Sequence, residues 1–186
     1  MSEQPGRYER SPAGMVGALV ATVLVILAFV GFRALNRSSL DVKPERIDYL
    51  AQVGYAQDAG ARPAYPARLP TGWYATSITF APGNRSDVVL SMLTADGQYA
   101  GFVASPQSVP ELLSTYVDAH PTAGAPVTVD GSLVRQWDTW TDAGGDTALV
   151  GQQGHGSSAE SLAVFGTVSR TQLEALAGAL TTQPVG

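Results

Sequence analysis

The stretch YAGFVASPQSVPELLSTYV, residues 99–117, decides the fold. Its first part, Tyr99 to Ala104, is a short apolar run that follows Asp96-Gly97. Both of those residues tolerate positive φ, so the pair reads as the turn of a hairpin and the run as its returning strand. The last part changes period. Ser108 and Glu111 have the spacing of a capping box, and Leu112, Leu113, Tyr116 and Val117 follow as an apolar stripe on one side of a helix. A strand therefore feeds directly into a helix. Upstream, residues 73–80 alternate with Tyr74, Thr76, Ile78 and Phe80 on one face, and residues 88–93 read as another strand.

The same order recurs downstream. A strand at 127–129 turns at Asp130-Gly131 and continues through 133–140; strands at 147–151 and 162–168 follow. Ser169 and Gln172 repeat the capping spacing, with Leu173, Leu176, Ala177 and Leu180 as the apolar stripe. Hairpins join antiparallel strands, and helices must cover the apolar side of the sheet. The expected fold class is α+β: one antiparallel sheet with its helices on one face, arranged as two β-β-β-α units at about 69–120 and 126–182 within a domain of residues 69–186. The two halves match only weakly in sequence, so shared architecture is expected whether or not they arose by duplication.

Toward the N-terminus, residues 33–68 form a connection. Ile47, Leu50, Ala51 and Val53 recur at helical spacing after Pro44, which predicts an amphipathic helix beginning there, and residues 54–70 are rich in Ala, Gly and Pro and predict irregular chain. Residues 13–32 carry no charge, with Arg7 and Arg10 before them and Arg33 and Arg37 after. Twenty such residues in a helix rise about 30 Å, the thickness of a bilayer's hydrocarbon core. A cleaved secretory signal is the main rival. Such a signal needs small residues at the first and third positions before the cut, and bulky Phe29, Val30 and Phe32 interrupt the available pairs. The expectation is a short cytoplasmic head over residues 1–12, an uncleaved single-pass anchor contacting membrane lipid through residues 13–32, and an extracytoplasmic C-terminal domain. A count of flanking basic residues alone favours the opposite orientation, but long domains translocate largely regardless of charge. The small residues Gly14, Gly17, Ala18 and Ala21 have the spacing of a helix-pairing face, which an Ala- and Gly-rich chain also produces by chance.

Ten of the eleven basic residues are Arg and only Lys43 is Lys, a bias that suggests a GC-rich bacterial genome. Absence of Cys excludes disulfides, thiolate chemistry and a lipoprotein anchor. The net charge of −5 belongs entirely to the part after the anchor, since Arg7 and Arg10 balance Glu3 and Glu9. An acidic domain repels phosphates, so nucleic-acid binding is not expected. Asn36-Arg37-Ser38 and Asn84-Arg85-Ser86 fit the glycosylation pattern and are read as chance in a bacterial chain.

No constellation specifies a reaction. His155, with Ser157 or Ser158, offers a base beside a nucleophile, but it lies in a Gly- and Ser-rich loop without a nucleophile elbow. His120 precedes Pro121 at a helix end, where solvent or the helix dipole accounts for it. Asp138, Asp142 and Asp146 recur every four residues, whereas a calcium loop alternates its ligands at every second position; Gly144 and Gly145 make these a solvated hairpin tip. Neither a metal nor another cofactor is expected. Trp137 and Trp140, three apart on a strand, point to opposite faces. Trp137 is expected in the core, and Trp140 is the one weak candidate for ligand contact. Trp73, starting a strand after a turn, is expected to close one end of the core.

The segments Arg46-Ile47-Asp48-Tyr49, Leu69-Pro70-Thr71-Gly72-Trp73-Tyr74-Ala75-Thr76-Ser77, Gly97-Gln98-Tyr99-Ala100-Gly101-Phe102 and the closing stretch from Val168 to Ala177 resemble an actinobacterial membrane-anchored family catalogued as a domain of unknown function, DUF4245. The Leu-Pro-x-Gly-Trp run is the most specific part of the resemblance, which covers nearly the whole chain. It implies a cytoplasmic head and an outer domain, and it implies no activity or catalytic residue. One departure lies in the second strand, where Val88, Val89 and Leu90 stand in place of an expected Trp.

Three functions remain open from the sequence. The leading one is a non-enzymatic envelope module that binds a protein, peptide or lipid. The others are a hydrolase using His155 with Ser157 or Ser158, and a structural subunit of a membrane complex. The oligomeric state is not read from the sequence. A deep cavity between sheet and helices favours a lipid or small ligand, and a filled core with an exposed apolar patch favours a protein partner.

Overall fold

In the structure, a computed structural model that describes residues 26, 44–81, 87–154, 156 and 159–186, three helices accompany ten strands. In chain order they are α1 (Tyr49–Asp58), β1 (Tyr65–Pro66), β2 (Tyr74–Phe80), β3 (Val88–Leu93), β4 (Tyr99–Ser105), α2 (Val109–Tyr116), β5 (Thr122–Ala123), β6 (Val127–Thr128), β7 (Gln136–Thr141), β8 (Thr147–Gln153), β9 (Glu160–Gly166), α3 (Arg170–Gly178) and β10 (Leu180–Thr181). The class is α+β, and every strand pairing is antiparallel. The main sheet runs β2-β3-β4-β9-β8-β7-β5, with β6 also paired to β7. The two β-β-β-α runs of the chain thus lie side by side, joined where β4 meets β9, with Phe102 opposite Val164 and Val103 opposite Ala163.

Side chains alternate across a sheet with a period of two, so each of these strands serves two layers. On the first face Val88, Leu90, Met92, Phe102, Leu149, Leu162, Val164 and Trp137 are fully buried. They pack with Tyr49 and Val53 of α1 and with Leu173, Leu176 and Ala177 of α3. Val88 and Leu90 fill the site where the family resemblance led to an expected Trp. On the second face Val103, Ala148, Val150, Ala163 and Phe165 pack with Leu112 and Leu113 of α2. The expectation that both capped helices share one face is therefore corrected.

The reason lies in strand parity. Two residues separate the end of β4 from its cap Ser108, and two separate the end of β9 from its cap Ser169. Ser105, the last residue of β4, pairs with Ser161 in the row of Val103 and Ala163, on the second face. Gly166, the last residue of β9, pairs with Ala100 of the first-face cluster. Equal linkers leaving from opposite faces deliver their helices to opposite sides.

Several local expectations also shift. Helix α1 begins at Tyr49 rather than at Pro44, because the Asp48 carboxylate accepts the Ala51 N–H at 3.1 Å and the Ile47 N–H is spent on the Ala75 carbonyl at 3.0 Å. It continues through Gly54 to Asp58. The Tyr49 hydroxyl donates to the Pro66 carbonyl at 2.8 Å, and burial, with Tyr65 and Asp48 beside it, pushes its pKa up to about 12. A bulge between Ala75 and Ser77 resets the parity of β2. Ala75 rather than Thr76 then joins Ile78 and Phe80 on the core side, and the Arg46 guanidinium lies 4.4 Å from the centre of the Tyr74 ring. Residues 133–135 leave the expected strand, since the Ser132 hydroxyl donates to the Ala177 carbonyl at 2.8 Å and ties that loop to the end of α3. Trp137 is fully buried as expected, and its indole N–H donates to the Val134 carbonyl at 2.7 Å. Trp73 packs, half-buried, against the first-face cluster.

Residues 44–186 form one unit. Among the described residues no helix is long and apolar enough to cross a membrane. The head and the anchor expected over residues 1–32 lie outside the described residues except for Ile26, which is helical and exposed.

Candidate functional site

The two faces differ in how far they are covered. The first carries α1 and α3, and its interior is filled by the residues named above. The second carries α2 alone. On it Ser77 and Thr79 of β2 are exposed, and Val89, Ser91 and Leu93 of β3 are half-buried. Two clefts open beside α2 and share Tyr116 as a common wall.

The first cleft, about 140 Å³, lies between the end of α2, the start of β4 and the tip of the β7–β8 hairpin. Tyr99, Tyr116 and Phe165 line it, with Asp142 and Asp146 from the hairpin tip. Phe165 is the hub: its ring centre lies 6.3 Å from that of Tyr99 and 6.1 Å from that of Tyr116, at tilts of 57° and 40°. Gly101 stands directly opposite Phe165 in the neighbouring strand, and a Cβ there would come within 2.5 Å of the Phe165 ring. The missing side chain is what makes room for the outer end of the ring over β4. The hairpin tip is built as a turn, as expected, with Gly145 at φ 92° and the Asp142 carboxylate accepting the Asp146 N–H at 2.8 Å. Asp118, just past the end of α2, buttresses the tip by accepting the Ala143 N–H at 2.9 Å. Hydrogen bonds from the His120 and Ala143 N–H groups hold its pKa below the usual carboxylate range.

The second cleft, about 240 Å³, runs over β2 and β3 and is lined by Thr79, Asp87, Val89, Val103, Ser105 and Tyr116. One Asp87 carboxylate oxygen is buried there without a hydrogen-bond donor among the described residues. The Asp87 charge also acts on Glu160, which accepts the Gln153 side-chain N–H at 2.6 Å. Burial chiefly, with Asp87 adding to it, raises the Glu160 pKa above its ordinary value against the lowering effect of that hydrogen bond. A third cleft, about 460 Å³, lies between α1 and the C-terminal tail. Its shape depends on Gln57, whose amide donates to the Gln183 carbonyl at 3.1 Å and accepts the Val185 N–H at 2.9 Å.

Trp140 is half-buried, packs with the second-face cluster, and lines none of these three clefts. Its indole N–H is buried with no acceptor among the described residues. His155, Ser157 and Ser158 lie outside the described residues. His120 is exposed and its backbone N–H donates to Asp118 at 2.9 Å. Asp138 is exposed on β7. Among the described residues no group of three or more His, Cys, Asp or Glu is placed to hold a metal ion.

Sequence reasoning did not single out Tyr99, Tyr116 and Phe165 as a set. Their signal was masked because β4 and β9 are buried on both faces, so neither strand alternates between apolar and polar residues. Only the pairing of β4 with β9 brings residues 99 and 165 together.

These features define an α+β domain with an antiparallel sheet between unequal helical layers and an aromatic, acidic cleft on the less covered side. The chain belongs to the family described as "Protein of unknown function (DUF4245)", whose sequence model matches residues 7–180. Comparison with curated proteins and with solved structures returned no match.

Proposed function

We propose that this chain is a single-pass protein of the bacterial cell envelope whose extracytoplasmic domain binds a partner protein and catalyses no reaction. The observation that carries the reading is the second face of the sheet, where one helix leaves aromatic and apolar side chains open beside it. Among the described residues the first face is filled by packed side chains between the sheet and helices α1 and α3, and that filling supports a macromolecular partner over a ligand held between sheet and helices. Tyr99, at 38% exposure, is a large ring standing on that open side. Aromatic residues of this kind are enriched where proteins meet.

Support for the anchor comes from the sequence of residues 13–32, whose length and basic flanks suit a bilayer. In this reading residues 1–12 stay in the cytoplasm.

The test places photo-crosslinking residues at Tyr99 and Val89 on the second face, and at Tyr55 and Arg170 on helix surfaces elsewhere, in the full chain in intact cells. Adducts of defined mass from the first pair and not the second are the expected result. Equal labelling from all four positions, or none from any, sinks the binding surface. In parallel, protease added to spheroplasts should trim everything past Arg33, and protection of the C-terminus refutes the topology.

A further inference from the structure

We infer that the cleft walled by Tyr99, Tyr116 and Phe165 receives the cationic end of an arginine or lysine side chain carried by the partner protein. This rests on the binding-module reading and names the chemistry of the partner. Size is the first argument. At about 140 Å³ the cleft falls below the roughly 300–1,000 Å³ of pockets that enclose whole small ligands, and it suits the end of one side chain.

The walls supply the second. Three rings line the cleft, those of Tyr99 and Tyr116 each tilted against Phe165, and an aromatic ring attracts a cation to its face. The chain already makes this contact elsewhere: Arg46 lies over Tyr74. Among the described residues no such cation is found around Tyr99 and Tyr116, and no Arg or His lines the cleft.

Charge is the third. Asp142 and Asp146 share the lining, with Asp118 behind them, and among the described residues none of the three is in an ion pair. The net charge of −5 leaves these carboxylates without compensation from the chain as a whole. A bound guanidinium or ammonium group meets ring faces and carboxylates together, and a neutral or acidic side chain gains neither.

The experiment uses the full chain in detergent micelles with carbon-13-labelled tyrosine, titrated with an end-capped Gly-Arg-Gly tripeptide and with its citrulline counterpart. Citrulline keeps the shape and loses the charge. The Arg peptide should move the Tyr99 and Tyr116 ring signals saturably, with binding weakened about fivefold or more by the change to citrulline. Tyr99→Ala and Tyr99→Leu should each weaken binding about threefold, the Leu variant keeping apolar bulk without a ring. Asp146→Asn should weaken it about twofold and flatten its salt dependence. Equal binding of the two peptides, or Tyr99→Leu binding as well as wild type, overturns the cationic occupant. If second-face crosslinks persist while the Arg peptide fails, the cationic occupant is wrong and the binding module stands. If the peptide binds as expected while crosslinks are absent, the cleft chemistry stands and the protein-binding reading falls.

Discussion

The β4–α2 and β9–α3 junctions are made from the same parts and end on opposite sides of the sheet. Each has a buried strand, two linking residues, a capping serine and a helix of similar length. They differ in which way the last strand residue points, and that single parity decides how the molecule is layered. Helix α3 joins α1 over the first face and completes it; α2 lies alone over the second and leaves clefts on either side of Tyr116. Equal local signals can therefore build unequal surfaces, one for stability and one open to contact.

The largest test compares the faces directly. Trp137→Ala, in the filled layer, should cost about 5 kcal/mol, and Phe165→Ala, beside the open cleft, about 3 kcal/mol, measured as urea unfolding of the full chain. Equal costs would mean that the two layers are equally packed, and the contrast would be lost. Next comes the junction itself. Gly166 has φ 145°, and a Cβ there would strike the Tyr99 carbonyl of the neighbouring strand. Gly166→Ala should cost about 3 kcal/mol, because both the backbone conformation and the close approach are lost.

The caps give a finer comparison. At α3 the box is neutral: the Ser169 N–H donates to the Gln172 side chain at 3.0 Å and the Gln172 N–H donates back to the Ser169 hydroxyl at 3.4 Å. Ser169→Ala should lower stability by about 1 kcal/mol at any pH between 4 and 8. At α2 the box is charged. The Glu111 carboxylate accepts from both the Ser108 hydroxyl and the Ser108 N–H, at 2.8 and 3.0 Å, and these bonds hold its pKa below the ordinary glutamate value. A folded-state pKa that is depressed gives stability present above the unfolded value and lost as pH falls through the folded one. The protection of the Leu112 amide, taken relative to the intrinsic exchange rate at each pH, should therefore fall on acidification through that range, and Glu111→Gln should abolish the trend. A flat profile in the wild type rules out the charged cap.

The smallest effect has the opposite sign. Burial raises the Glu160 pKa, so its contribution is complete below the unfolded glutamate value and declines as pH rises through the folded one. Glu160→Gln, which can still accept from Gln153, should leave Tm unchanged in acid and raise it slightly at neutral pH. A lower Tm at neutral pH would show that the carboxylate is stabilising instead.

Much of this architecture was legible in the chain. The capping serines, the hairpin turn at Asp96-Gly97 and the opposite orientations of Trp137 and Trp140 all follow from side-chain period and turn chemistry over a few residues. The bulge at β2 and the loop at 133–135 were not legible. Each exists because a distant group, Ser91 across the ladder or Ala177 at the end of α3, competes for the local backbone or side chain. The candidate cleft was hidden for a related reason: its rings come from a strand start, a helix end and a strand end that are remote in sequence.

By itself, then, the sequence determined the α+β class, the two strand-strand-strand-helix runs and the caps that start their helices, since all are set by interactions within a turn or a hairpin. Tertiary structure alone decided that the two runs meet through β4 and β9, that their helices part to opposite faces, and that three rings and two carboxylates converge on one cleft. Those outcomes depend on register between strands some sixty residues apart, and a one-residue shift in that register would turn every side chain to the other face.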